Sequence, residues 1–312
     1  MSVAVADILV GLFGTMLSLS PLFLFAGLGE IVAEKSGVAN IGLEGIMLMS
    51  AFAMYAVDIL TRNPWIGVLV ALGVGLVFGV MFGYLAVWLR LEQITLGLGV
   101  YLFGQGLSFV LYSNFAGGRF LPAFANLHGI FIPYLSTIPV LGPVLFQQNI
   151  LVYFSLLLVP VVAIFLDRTS LALRVKAAGE DPKAADNMGI SVLRVRFFAV
   201  LVGAVLAGLA GAYFEIAYLQ GFQFDIIMGR GFVALAIIYF ANWNPYKTLF
   251  GALGFTFVAT GQSLFIQLAG PAFQQSSFFF NMLPYIFIIA LIPIFGRGAR
   301  PPKYLLKPYR KG

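Results

Sequence analysis

Two carboxylates, Glu44 and Glu215, stand in or beside long apolar runs. Burying a charge there is costly, roughly 2.5 to 3.5 kcal/mol for a central Asp, Lys or Arg on insertion scales. Neutral hydrogen-bonding side chains accompany them: Asn40, Gln105, Asn242, Gln262 and Gln267. Such groups face the protein interior or an aqueous path, not lipid, which makes them candidates for contact with a polar solute. Asn40 and Glu44 are four apart and share a face if a helix has begun by Asn40. For Glu44, capping or interhelical bonding is at least as good a role as solute contact. Tyr101 and Trp243 supply aromatic faces on which a flat solute can stack. Covalent chemistry finds no foothold: the chain has no cysteine and a single histidine, His128, which excludes disulfides, thiolate chemistry and a His-rich metal site. A lone histidine without a matched Ser or Cys gives no nucleophile and base pair. No GxxxxGK[ST] phosphate loop occurs, so this chain is not itself a nucleotide hydrolase.

The elements that must position these side chains are membrane helices. Of 312 residues 61% are hydrophobic, 32 are Phe and only 10% are charged, more apolar surface than one water-soluble core hides. A hydrocarbon slab about 30 Å thick takes roughly 20 helical residues to cross. Runs of that kind fall at about 7–29, 41–60, 65–89, 94–112, 147–166, 197–219, 226–241, 247–268 and 281–296. The expected fold is therefore an all-α, polytopic membrane protein of about nine spans (eight to ten). The runs are continuous, not alternating in polarity, which disfavours a β-barrel. The first run has no Lys or Arg ahead of it and reads as a retained helix.

Orientation follows from the basic residues. Six lie between Arg168 and Arg196 and six between Arg297 and Lys311, twelve of the 18 Lys and Arg. Both segments are expected in the cytoplasm, with Lys35, Arg90 and Lys247 on the same side and the 113–146 connection, with Arg119, outside. That outer loop holds Pro122, Pro133, Pro139 and Pro143 beside His128. The net charge of +6 suits a polytopic protein without invoking nucleic acid.

The stretch 167–196 holds ten of the 30 charged residues. Within it Asp181 is a good N-cap, Pro182 suits the first helical position and Gly189 closes a helix in the left-handed region. A two-turn helix over Pro182–Met188 is predicted, preceded by one capped by Thr169 or Ser170 and ending near Gly179. Ala184, Ala185 and Met188 form a narrow face of small residues between Lys183 and Asp186. Such a knob suits docking of a soluble protein; a solvated loop that only retains topology is the competing account.

The run AAGEDPKAADNMGISVLRVRFFA resembles the ATPase-contacting loop of permease subunits in the branched-chain amino acid, ribose and nucleoside group of ABC importers. EKSGVANIGLEGIMLMSAF at 34–52 and GRGFVALAIIYFANWNP at 229–245 are similar to the early and late motifs of its nucleoside and simple-sugar subgroup. Ala241 departs from the Gly expected in the late motif. The resemblance spans nearly the whole chain as one permease domain with a coupling loop at 167–196 and a basic cytoplasmic tail at 297–312. It implies a second, related permease, a cytoplasmic ATPase carrying ATP and Mg, an extracytoplasmic binding (lipo)protein, and no cofactor on this chain. Asp181, Pro182, Ala184, Ala185, Met188 and Gly189 would couple to the ATPase. Asn40, Glu44, Tyr101, Gln105, Glu215, Asn242, Trp243 and Gln262 would line the solute path, with nucleoside as the expected cargo and ribose or another sugar as the alternative.

NPWIGVLVALGVGLVFG at 63–79 echoes NPYKTLFGALGFTFVAT at 244–260, sharing Asn, Pro, an aromatic and an Ala-Leu-Gly triplet. The expected topology puts the two Asn-Pro pairs on opposite sides, which would make the repeat inverted. Gly75, Gly79 and Gly83 fall on one helix face, as do Gly203, Ala207 and Gly211, and such stripes favour close intramolecular packing. The competing mechanism, an ion-driven carrier without an ATPase, would use Glu215 and Glu44.

Overall fold

The computed structural model describes residues 2–117, 127–219, 221–269, 277–295 and 298–310. Arg119, Pro122, Arg297 and Lys311 lie outside the described residues. Every helix and no β-strand is the pattern among them. The elements are α1 (Ser2–Lys35), α2 (Leu43–Thr61), α3 (Pro64–Gly83), α4 (Gln93–Ala116), α5 (Leu141–Leu145), α6 (Ile150–Arg168), α7 (Ser170–Glu180), α8 (Pro182–Asn187), α9 (Val192–Tyr213), α10 (Arg230–Phe240), α11 (Pro245–Ala269), α12 (Ser277–Phe280) and α13 (Leu283–Phe295). Wider π-helical turns prolong α3 over Tyr84–Trp88 and α9 over Phe214–Leu219.

Local chemistry sets the boundaries. Asn63 Oδ1 accepts from the Trp65 N–H at 3.0 Å ahead of Pro64, and Asn244 Oδ1 accepts from Tyr246 at 3.0 Å ahead of Pro245. The two echoing segments thus open with the same Asn-Pro cap. Glu92 caps α4 by accepting from Ile94 and Thr95; these bonds, Thr95's first, hold its carboxyl below the ordinary range. Arg62 ends α2 in the left-handed region at φ 55°.

Seven of the helices, α1, α2, α3, α4, α6, α9 and α11 with their π extensions, are long and apolar enough to cross a membrane, so the chain is a multi-pass membrane protein. The runs expected to span at 226–241 and 281–296 are helical over only 11 and 13 residues. At 1.5 Å per residue these reach about 16 and 20 Å, short of the slab.

Helix α9 is the centre of the bundle, packed by α1, α2 and α3. Its close approach to α3 is made by the glycine stripes: a Cβ on Gly75 would lie 2.6 Å from the Ala204 carbonyl, and one on Gly79 2.7 Å from Ala204 Cβ. Both stripes pack within the chain, since Gly203 meets Gly29 and Gly211 meets Met47. Contacts also sort the two ends of the bundle. At one end Lys35 lies over the Trp243 ring, Gly179 abuts Lys35, and Arg300 reaches Asn242. At the other, Ser18 bonds Gln148 and the Tyr213 hydroxyl bonds the Ser18 carbonyl.

Candidate translocation site and coupling element

Helix α10 begins deep inside the bundle, and Glu44 is the reason it can. Glu44 Oε1 accepts from the Gly229 N–H and Oε2 from the Gly231 N–H, both at 2.6 Å. A helix leaves its first N–H groups without internal partners, and an anion there also meets the positive end of the helix dipole. Depth follows from the neighbours. Glu44 lies three residues before Met47, which abuts Gly211, and Gly211 lies fifteen residues, about 22 Å, along α9 from Arg196 at the basic end. The start of α10 is thus near the middle of the slab. The chain reaches it by a non-helical leg, 221–229. Phe222 packs against Phe52 and Tyr55, Asp225 Oδ1 accepts from Gln105 Nε2 at 3.3 Å, and Gly229 meets Glu44. Irregular backbone at membrane depth is tolerated where it packs on protein, as at buried Phe222, Ile226 and Ile227, or borders a cavity, as at Gln223 and Asp225.

Arg230 opens the half-helix. Its Nη1 donates to the carbonyls of Ile227 at 3.0 Å and Ile226 at 3.4 Å, and its guanidinium lies 4.9 Å from the centre of the Phe214 ring. It lines a cavity of about 610 Å³ among α1, α11 and α13 together with Thr260, Gln262, Gln267, Asn281 and Tyr285. Gln262 Nε2 donates to Asn281 Oδ1 at 2.7 Å. Arg230 also borders a second cavity of about 200 Å³ with Gln223 and Asp225. The chamber therefore offers a guanidinium, amides, hydroxyls and a phenol, donors and acceptors suited to a neutral polar solute.

The sequence candidates separate on this frame. Gln262 is in the chamber wall. Tyr101 and Gln105 stand on the opposite side of the broken segment, Tyr101 edge-on to Phe232 at 5.4 Å. Asn40 does not share a helix face with Glu44: α2 begins only at Leu43, and Asn40 sits in the preceding turn, where its N–H donates to Glu30 Oε1 at 2.6 Å and its Oδ1 accepts from Gly42. Trp243 and Asn242 belong to the basic end. The Trp243 indole donates to Glu34 Oε2, and Asn242 Oδ1 accepts from the Arg300 N–H at 2.9 Å. Glu215, on the π turn, is wholly buried, and neither of its oxygens has a hydrogen-bond partner among the described residues. Arg230, Asn281 and Glu30 are absent from the sequence candidates. For Arg230 a signal exists, since it stands alone among basic residues in the apolar stretch from 197 to 246.

The basic end carries the other cluster. Thr169 caps α7, accepting from Ala172 at 3.2 Å, and Asp181 caps α8, accepting from Ala184 at 3.0 Å. Helix α8 stops at Asn187, one residue before the predicted end, and Gly189 follows at φ 81°. Its small residues do not form one face. Ala185 is buried with Ala178, Val192 and Tyr309, whereas Ala184 is exposed and Met188 is 82% exposed. The C-terminal segment clasps this unit from below. Buried Arg196 donates to the carbonyls of Ala178 at 3.0 Å and Lys307 at 2.9 Å, and the Tyr304 N–H donates to Gly179 at 2.9 Å. Desolvation, with Asp186 adding to it, raises the Tyr309 phenol above its ordinary pKa.

Comparison with known proteins decides the class of this architecture. The family model described as branched-chain amino acid transport system / permease component matches residues 12–292. The chain belongs to this permease family. It is similar to the putative glucose ABC transporter permease protein TsgC13 of Haloferax volcanii, 35% identical over 78% of this chain and 74% of that one. It is 32% identical to the nucleoside ABC transporter permease protein NupC of Lactococcus lactis, over 92% of this chain and 93% of that one. The guanosine ABC transporter permease protein NupQ of Bacillus subtilis is also 32% identical, over 96% and 95%. No solved structure matches the chain significantly. As a permease component the chain is a transport subunit and not an enzyme.

Proposed function

We propose that this permease is one of two related transmembrane subunits of an ATP-driven nucleoside importer of the cell membrane. The observation that carries the cargo is near full-length similarity to permeases named for nucleosides and guanosine; the chamber of Arg230, Gln262, Gln267 and Asn281 supports it with donors and acceptors for a base and ribose hydroxyls. A sugar is the second reading, favoured by the 35% identity to TsgC13. Lactococcus lactis holds two nucleoside permease proteins, NupC and NupB, to which this chain is 32% and 28% identical, and that supports a non-identical partner.

In this proposal the basic end is cytoplasmic, by the excess of Lys and Arg there. The 167–196 loop receives a cytoplasmic ATPase that carries ATP and Mg, through the exposed Ala184 of α8 and Met188 just after it, held by Asp181, Pro182, Ala185 and Gly189. The 113–146 loop, whose Phe131 and Tyr134 are exposed, meets an extracytoplasmic binding lipoprotein, and the 297–312 tail is cytoplasmic. Nine passes result if 221–229 with α10, and α13, each make one. The echo of 63–79 in 244–260 then becomes an inverted repeat with Asn-Pro caps at opposite ends. Closure of the ATPase draws α8 inward, and α9 and the clasped tail carry that motion to Trp243 at the foot of the half-helix, opening the passage to one side at a time. No nucleic acid takes part.

Uptake of labelled guanosine, uridine, ribose and glucose into cells with and without the gene tests the cargo. Loss of nucleoside uptake alone is expected; loss of sugar uptake alone overturns the nucleoside assignment.

A further inference from the structure

We propose that the groove between α7, the end of α6 and the first half of α9 binds an anionic phospholipid. The groove encloses about 700 Å³. Its walls include Phe165, Leu171, Phe198 and Val202, while Arg174 and Arg194 stand at its polar end. Both arginines are exposed, and neither guanidinium forms a hydrogen bond or ion pair among the described residues. Lys176 nearby is already paired with Asp167 at 3.3 Å. No acidic residue lines the groove.

The order of these groups selects the occupant. Arg194, Phe198 and Val202 follow at intervals of four along one stripe of α9. Cation thus gives way to carbon over about 12 Å, which is how a phospholipid is built, phosphate first and acyl chain beyond it. Phe198 and Leu171 are 63% and 59% exposed, apolar area that lipid would cover. Helix α9 starts beside Arg194 with no side-chain cap and no acid in its first turn, so the field there adds to the attraction of an anion. A soluble partner reaches the arginines but not Val202, about 15 Å up the helix from its start. Met188, the residue after α8, lines the same groove, so a lipid seated there braces that helix from its membrane side. The inference rests on the chain being membrane-inserted and is independent of the cargo.

Native mass spectrometry of the purified full-length permease with its partner subunits, titrated with phosphatidylglycerol and phosphatidylcholine, tests it. Phosphatidylglycerol adducts are expected to persist preferentially, by on the order of tenfold. Arg174→Gln with Arg194→Gln abolishes that preference, Arg174→Lys with Arg194→Lys keeps most of it, and Arg90→Gln leaves it intact. Equal retention of the two lipids, or a preference that survives the double Gln variant, overturns the proposal. So does a double Gln variant that sheds the ATPase while lipid selectivity is unchanged, which would assign the groove to that partner.

Discussion

At the scale of single residues, Glu44 is the side chain on which the half-helix depends. Glu44→Ala orphans the buried N–H of Gly231, at about 1 to 3 kcal/mol, and the half-buried N–H of Gly229, at less. Glu44→Gln retains one acceptor and should cost less. Thermal unfolding in detergent is expected to rank wild type above Gln and Gln above Ala; equal unfolding temperatures with altered uptake would make Glu44 a solute contact instead. Gly231→Ala brings a Cβ to 3.0 Å from the Glu44 Cα and should destabilise similarly. Glu215 behaves oppositely. Its oxygens have no hydrogen-bond partner among the described residues, so Glu215→Gln removes none of the bonds seen there, and the variant is expected to fold and to transport. If uptake instead vanished in that variant and a protonophore abolished it in the wild type, the ion-driven carrier would be the correct mechanism.

At the scale of elements, α8, the proposed docking helix, has one buried and one exposed side. Ala184→Trp alters only exposed surface, so copurified ATPase should fall while the permease unfolds at the same temperature. Ala185→Trp overfills the small core shared with Ala178, Val192 and Tyr309; overpacking costs about 1 to 3 kcal/mol or more, and thermal stability should drop along with ATPase retention. The two ends of this helix were readable beforehand, because Asp, Pro and Gly act on backbone within four residues. Which side faced solvent was not, because Tyr309 comes from more than a hundred residues away. The same limit hid the work of Glu44 and Trp243, whose partners lie 185 and 209 residues off. Apolar length revealed the membrane segments, yet it could not distinguish a full helix from a half-helix joined to the non-helical leg 221–229, since both are equally greasy.

At the scale of the whole molecule, the C-terminal segment ties the loop to the bundle. Arg196 spans Ala178 and Lys307, Tyr304 reaches Gly179, and Arg300 reaches Asn242 beside Trp243. Arg196→Lys cannot offer the planar fork that serves two carbonyls. Limited proteolysis is expected to cut the 170–190 region faster in that variant, and faster still in a chain shortened after residue 297. Unchanged cleavage in both would mean that the clasp does not restrain the loop.

That clasp also imposes an order on synthesis. Arg196 leaves the ribosome 111 residues before the carbonyl of Lys307 that it grips. The surface around α8 therefore takes its final shape only after α10, α11, α12 and α13 have been made. In the proposed importer a nascent permease therefore recruits no ATPase prematurely, and any product broken off upstream of that point would present an unfinished handle.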